Sequence, residues 1–310
     1  MTAPPRHVWA ALGVVYFVWG STYVGIKIAV ETLPPLLTAG TRFLTAGAIL
    51  AIVLAVRGKS LRVTREELRG CAIAGLLLLA FGVGMVHVAE TRIDSSVAAM
   101  IAGTVPLQII LMRLASGESV VRATRVSTIA GLAGLVLVVA PGLGSGSTAL
   151  GLAVSISAAF SWALGSFLTK RLRLPRDPAV GAVWEMFVGG TFLTVAGLVL
   201  GEWRDVNGAT LTASSLAAWA YLVVAGSIVG FTAYAWLLRV APISLVVTHQ
   251  YVNPLVAIVL GVLLLAERPS PLSLAGALIV LAAVWAVIRA EAPAAREPVR
   301  PVQTELDQAA

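Results

Sequence analysis

The stretch FVWGSTYVGIK, residues 17–27, has an echo in FSWALGSFLTK, residues 160–170. One shift lays Phe17, Trp19 and Lys27 on Phe160, Trp162 and Lys170, lays Pro35 on Pro178 and Gly47 on Gly190, and pairs Arg42 with Glu185. A slightly larger shift lays Ser96 and Pro106 on Ser244 and Pro254. Matches that keep their order while the offset drifts slowly describe a chain built from two related halves.

Both copies lie in apolar surroundings. Of 310 residues, 58% are hydrophobic and 12% charged, and the mean hydropathy is +0.93, which leaves too little polar surface to cover a water-soluble globule. The apolar residues gather into the runs Val8–Ile26, Gly70–Ala89, Ser95–Met112, Val240–Ala266 and Pro269–Ile288. Each is near or above the roughly 20 residues with which a helix crosses a bilayer. Strands of a membrane barrel would be shorter and would alternate. Val126–Thr169 is too long for one crossing and breaks at PGLGSGS, Pro141 to Ser147, so it reads as two spans. Leu36–Val56, Ala179–Leu200 and Ser214–Leu238 bring the total to ten. The first run is longer than the apolar core of a signal peptide and has no small-residue cleavage site, so it counts as a helix.

Charge sets the orientation. With the N-terminus in the cytoplasm, seventeen of the 22 Lys and Arg fall in cytoplasmic segments, from Arg6 through the cluster Arg57–Arg69 to Arg300. That excess obeys the positive-inside rule and puts both termini of a multi-pass membrane protein in the cytoplasm. The net charge of +7 therefore reflects orientation and gives no argument for nucleic acid as a partner. Five spans per half is an odd number, so the second half runs through the membrane upside down relative to the first. The expected fold is an all-α integral membrane protein. Its ten transmembrane helices form two inverted-topology five-helix repeats, 8–141 and 148–288, around a central cavity. A disordered cytoplasmic tail over 289–310 follows them. Inverted repeats of this kind open a central site to either side in turn, which makes the expected function alternating-access transport.

The chain resembles the drug/metabolite transporter superfamily, and within it the EamA-type exporters with two EamA repeats. The resemblance rests on WGSTYVGIK in the first span, PPLLTAGTRFL at the second, SSVAAMIAGTVPL in the fourth, SWALGS in the sixth and APISLVVTHQYVNPLVAIVLGVLLLAE in the ninth. It implies a bacterial inner-membrane exporter of small metabolites such as amino acids or amphipathic drugs. One departure is RLASGES after the fourth span, where such families often carry Gly-Glu followed by a basic residue.

Several residues are candidates to line the cavity. Trp19 and Tyr23 offer flat apolar contact and a hydroxyl to an amphipathic solute, as do Trp162 and Tyr234 in the second half. Gly226-x-x-x-Gly230 reads as a close-packing face one turn before Tyr234. Pro106 and Pro254 interrupt the fourth and ninth spans, and each withholds a backbone donor. Carbonyls freed in hydrocarbon need a partner, so such breaks gather at binding sites. Thr104 and Gln108 flank the first break; His249, Gln250, Tyr251 and Asn253 surround the second. A kink that only shapes the helix is the alternative for both. Arg42 and Glu185 are costly charges within spans and serve as candidate gating or carboxylate-binding groups. His87, three residues before Glu90, and His249 are candidates for a proton relay, since imidazole titrates near neutrality. Lys27 and Lys170 lie near span ends and read as anchors.

Other classes are poorly served. A membrane-embedded enzyme needs a nucleophile with its base or a metal set, and the chain has no HExxH motif, three histidines and the single cysteine Cys71. No cofactor or metal is expected, and no GK[ST] follows the glycines of PGLGSGS. A lipid flippase or a lipid-modifying enzyme is the alternative reading. The expected partners are a small-molecule solute, the bilayer and, through the histidines, protons.

Overall fold

A computed structural model describes residues 6–93, 95–139, 148–206, 211–253, 255–256, 259 and 271–291. All regular structure among them is helical. The first half gives α1 (Arg6–Val30), α2 (Pro35–Val56), α3 (Arg65–Glu90), α4 (Ser95–Ala102), α5 (Val105–Ala115) and α6 (Arg122–Val139). The second gives α7 (Ala149–Leu168), α8 (Pro178–Val199), α9 (Ala213–Val240), α10 (Ile243–Val246), α11 (described over residues 249–253) and α12 (Pro271–Glu291). Six of these, α1 to α3 and α7 to α9, are long and apolar enough to cross a membrane.

Local chemistry starts the helices. Pro35 and Pro178 open α2 and α8, where a missing N–H costs nothing. Thr64 and Glu67 form a reciprocal capping box at α3, and the hydroxyls of Thr148 and Thr212 cap α7 and α9. Asp177 caps α8 and pairs with Lys59. The cap of α2 comes from the other half: the Glu202 carboxylate accepts from the Leu36 and Leu37 amides at 3.2 and 2.8 Å. A carboxylate also suits the positive end of a helix dipole.

The two halves repeat a pattern. Within α3 the segment Gly75–Gly84 widens to π-helical turns, and within α9 the segment Leu222–Phe231 does the same. The stretch read from the sequence as the fourth span is interrupted at Gly103–Thr104, just before Pro106 at the second position of α5, and Pro106 has no N–H to return to Ala102. Between α10 and α11, in the stretch read as the ninth span, a break falls at Val247–Thr248. Pro254, where the sequence places one, lies outside the described residues. Phe17 and Phe160 are 60% and 53% exposed on the outer surface, whereas Trp19 and Trp162, two residues on, are buried.

α2 and α8, which carry Arg42 and Glu185, pack backbone to backbone. A Cβ on Gly190 would lie 3.0 Å from the Gly40 carbonyl oxygen and 3.0 Å from the Leu44 nitrogen, and a Cβ on Gly40 would meet the Gly190 oxygen at 3.0 Å. Small residues let helices approach this closely in lipid, where packing rather than the hydrophobic effect holds them. Gly190→Ala is expected to push the pair apart and lower stability by about 1–3 kcal/mol, the usual cost of overpacking. Thermal unfolding of the purified protein in detergent checks it; an unchanged midpoint would refute the contact.

Candidate functional site

Helices from both halves enclose a cavity of about 70 Å³, room for a few waters. Its floor is a cluster of four rings. Trp19 of α1 lies 5.3 Å from Trp162 of α7, 4.9 Å from Tyr234 of α9 and 5.1 Å from His249 of α11, centroid to centroid. Trp162 and His249 lie 5.1 and 5.4 Å from Tyr234. Rings this close leave no space between them, so a solute would rest on the cluster and not within it.

Each tryptophan is seated on the opposite half. The Trp19 Nε1–H donates to the Gly226 carbonyl at 3.0 Å, inside the π segment of α9, and a Cβ on Gly230 would lie 2.5 Å from that Nε1. A Cβ on Gly82, in the π segment of α3, would lie 3.1 Å from Trp162. Beside it the Ser161 hydroxyl donates to the Leu77 carbonyl at 2.8 Å. The Trp162 N–H points toward the Tyr234 hydroxyl without a well-formed hydrogen bond.

The break before α11 supplies polar groups. The Thr248 hydroxyl donates to the Leu245 carbonyl (2.6 Å) and meets the Tyr16 hydroxyl (2.5 Å). The ring of His249 lies 2.9 Å from the Val246 carbonyl. A carbonyl only accepts, so Nδ1 carries the proton there and the buried Nε2 has no hydrogen-bond partner. Gln250 and Asn253 line the cavity with unpartnered carbonyl oxygens, and Asn253 lies beside the Tyr23 hydroxyl. Arg42 is buried in the same wall; its Nε–H donates to Ser227 at 2.8 Å, while Nη1 has no hydrogen-bond partner.

Of the residues singled out from the sequence, Trp19, Tyr23, Trp162, His249, Gln250, Asn253 and Arg42 line the cavity, and Tyr234 completes its floor. Thr104 and Gln108 are not brought to it. Gln108 donates to the Thr104 hydroxyl at 2.8 Å, and that hydroxyl turns back onto the Ile101 carbonyl. Tyr251 points away, donating to the Thr128 carbonyl of α6 at 3.1 Å. Glu185 is buried outside the cavity lining, where it and Arg239 flank Gly181. His87 and His249 are joined by no hydrogen bond or ring contact among the described residues. The sequence reading missed Thr22, Phe43 and Ser155 as lining residues. Ser155, Ala158, Ala159 and Trp162 follow the helical spacing that puts them on one face, and that periodicity was the available signal.

The two ends of the bundle are fastened alike. Lys27 donates to the Glu90 and Ile93 carbonyls at 2.8 and 3.3 Å, closing the end of α3; Lys170 donates to the Ala241 carbonyl at 3.1 Å, just past α9. Both serve as cationic caps at helix C-termini. At the Lys170 end, Glu118 pairs with Arg113 and Arg171, so the departure in RLASGES keeps an acidic partner for bases of both halves. Partial burial works to raise the Glu118 carboxyl, but hydrogen bonds from Arg113 and Arg171 hold it below its ordinary range. No group of three or more His, Cys, Asp or Glu among the described residues is placed to hold a metal ion.

A helical bundle this apolar, folded round a partly polar cavity, is the architecture of a membrane transporter. The chain belongs to the EamA-like transporter family, which matches it twice, over residues 7–140 and 149–289. It is 38% identical over 255 residues to the inner membrane transporter YedA of Escherichia coli (strain K12), covering 82% of this chain and 81% of that one. Protein PecM of Dickeya dadantii (strain 3937) is 29% identical over 294 residues, covering 92% and 94%. A probable amino-acid metabolite efflux pump of E. coli (strain K12) is 27% identical over 290 residues, covering 87% and 91%. A crystal structure at 19% identity has the same fold, with a TM-score of 0.73 over 94% of this chain and 99% of that one.

The seat of Trp19 can be tested directly. Trp19→Phe keeps a ring but removes the indole donor to the Gly226 carbonyl, and is expected to cost about 0.5–1.5 kcal/mol, the net worth of a hydrogen bond. Gly230→Ala is expected to cost at least as much, because the indole must move. Unfolding midpoints of both variants in detergent check this, and two unchanged midpoints would refute the seat.

Proposed function

We propose that this protein is a secondary exporter that carries a small metabolite, an amino acid or an amphipathic drug, out across the inner membrane by alternating access. In this reading the chain crosses the bilayer ten times, the halves are inverted copies, and both termini are cytoplasmic. The Lys27 end then faces outward and the Lys170 end faces the cytoplasm. The observation that carries the proposal is the four-ring floor. Its rings come from both halves, so any rocking of one half against the other must open or close it. The relative named as an efflux pump for amino-acid metabolites supports the direction and the kind of solute.

The walls suggest how a solute is held. Trp19 and Trp162 offer apolar faces, Asn253 and Gln250 offer acceptors to an ammonium, and the unpartnered Nη1 of Arg42 suits a carboxylate. An unpaired guanidinium within a span is costly unless a ligand or water meets it, which supports a binding role over an anchoring one.

Counterflow in proteoliposomes with labelled amino acids and cationic drugs tests the proposal. Arg42→Gln is expected to weaken apparent affinity for carboxylate-bearing solutes roughly 10–100-fold, the worth of a hydrogen bond to a charged group. Drugs without a carboxylate should be unaffected. Trp19→Ala and Asn253→Ala are expected to slow both classes. A chain that moves nothing in the panel, or variants indistinguishable from the parent, would overturn the reading.

A further inference from the structure

At the Lys27 end lies a carboxylate that the binding site above does not use. Glu90, the last residue of α3, is fully buried, and neither Oε1 nor Oε2 has a hydrogen-bond partner. One turn earlier His87 is also fully buried; its Nδ1–H donates to the Val83 carbonyl at 2.9 Å and its Nε2 has no partner.

The neighbours of this pair are few. α1 brings Tyr23, which lines the cavity and whose hydroxyl lies within the field of the Glu90 carboxylate, and Lys27. α2 brings Arg42, whose charge acts on His87. α4 and α7 pack here without a titratable side chain. Lys27 is the nearest counter-charge to Glu90, yet its ammonium is spent on main-chain oxygens, those of Glu90 itself and Ile93, and forms no ion pair with the carboxylate.

Two facts make this arrangement bistable. An ionised carboxylate without a single donor is too costly to persist in an apolar interior, whereas a protonated one loses far less. Once ionised, the same carboxylate would compete for Lys27, which already bonds the main-chain oxygen of Glu90. Taking Lys27 would release the carbonyls that close α3, and the chain from Ile93 leads directly into α4, whose Ala98 and Ala102 line the cavity.

We propose that Glu90 is the proton-binding residue that couples solute export to the proton gradient. In the present conformation it is protonated and Lys27 caps α3; when it ionises, Lys27 moves to its carboxylate and the broken fourth span shifts. Each cycle takes one proton from water on one side, holds it on the Glu90 carboxyl oxygen and releases it to water on the other side, while the solute crosses in the opposite direction. Proton coupling thereby rests on Glu90, with His87 as its neighbour, and not on a His87–His249 relay. The inference depends on the alternating-access reading given above.

The test uses the full chain in proteoliposomes with labelled leucine, phenylalanine and tetraphenylphosphonium, in two modes: counterflow without a gradient, and uphill accumulation driven by a pH gradient. Glu90→Gln, which mimics the protonated side chain, is expected to retain counterflow and lose uphill accumulation completely, and Glu90→Asp to recover part of it. Infrared difference spectra of the reconstituted protein between acid and alkaline pH should contain a protonated-carboxyl band that Glu90→Gln lacks. Uphill accumulation by Glu90→Gln equal to the parent would overturn the proposal, as would parent spectra without that band, including where the variant loses counterflow as well. A parent chain that moves none of the three solutes would instead count against the transport reading, and the infrared band would then decide Glu90 on its own.

Discussion

In hydrocarbon a backbone carbonyl that leaves the α-helical ladder must find another donor. The wide turns of α3 and α9 lie at the middle of the protein, and in each a carbonyl takes a further donor from a side chain on the first helix of the other half. Trp19 of α1 bonds the Gly226 oxygen in α9, and Ser161 of α7 bonds the Leu77 oxygen in α3. Glycine is required where the indoles lie against these segments, at Gly230 and Gly82. The halves are therefore interlocked, each incomplete in the place that the other fills. The floor of the cavity is a by-product of this exchange, because the two seated indoles meet and Tyr234 and His249 close around them.

Function follows from what lies on either side of that floor. Toward Lys27 the walls carry charge and unpartnered polar atoms, Arg42 Nη1 and the Asn253 and Gln250 oxygens, and behind them, outside the cavity lining, lie the buried His87 and Glu90. Toward Lys170 side chains tie the helices together. Tyr16 meets Thr248, Tyr234 meets Ser166 at 2.6 Å, Arg113 donates to Ser244 at 2.5 Å, and Glu118 ties Arg113 to Arg171. Both ends are thus cross-linked by side chains, and the unpartnered polar atoms that line the cavity are those of Arg42, Gln250, Asn253 and the rings beside them.

Much of this was legible in the sequence, for a physical reason. Span length, the excess of basic residues and the recurrence of FxW…K depend on composition and order, and order survives folding unchanged. Trp19, Trp162 and Tyr234 could be found because large aromatics with polar tips are conspicuous in an apolar helix. Facing is harder to read. Thr104, Gln108 and Tyr251 share the neighbourhood of the breaks but spend their polar groups on Ile101, on one another and on Thr128. A break also resets the helical phase, so periodicity counted through it misplaces every later residue. Proline marks were informative at Pro106, whereas the turn at Val247–Thr248 has no proline in it and is held by side chains bonding back to Leu245 and Val246. The wide turns of α3 and α9 left no motif beyond their glycines. Glu90 was visible only as a neighbour of His87, because at the end of a span a carboxylate normally reaches water; that it is buried depends on α1 and α7 closing over it.

Duplication within one chain has a result that assembly from two identical subunits cannot have. Identical subunits would repeat the same contact twice and would have to change both at once. Here the two seats have drifted apart: one fastens its carbonyl with an indole, the other with a serine hydroxyl. The N–H of Trp162 thereby turns toward the Tyr234 hydroxyl, while that of its counterpart Trp19 holds a main-chain carbonyl of the other half.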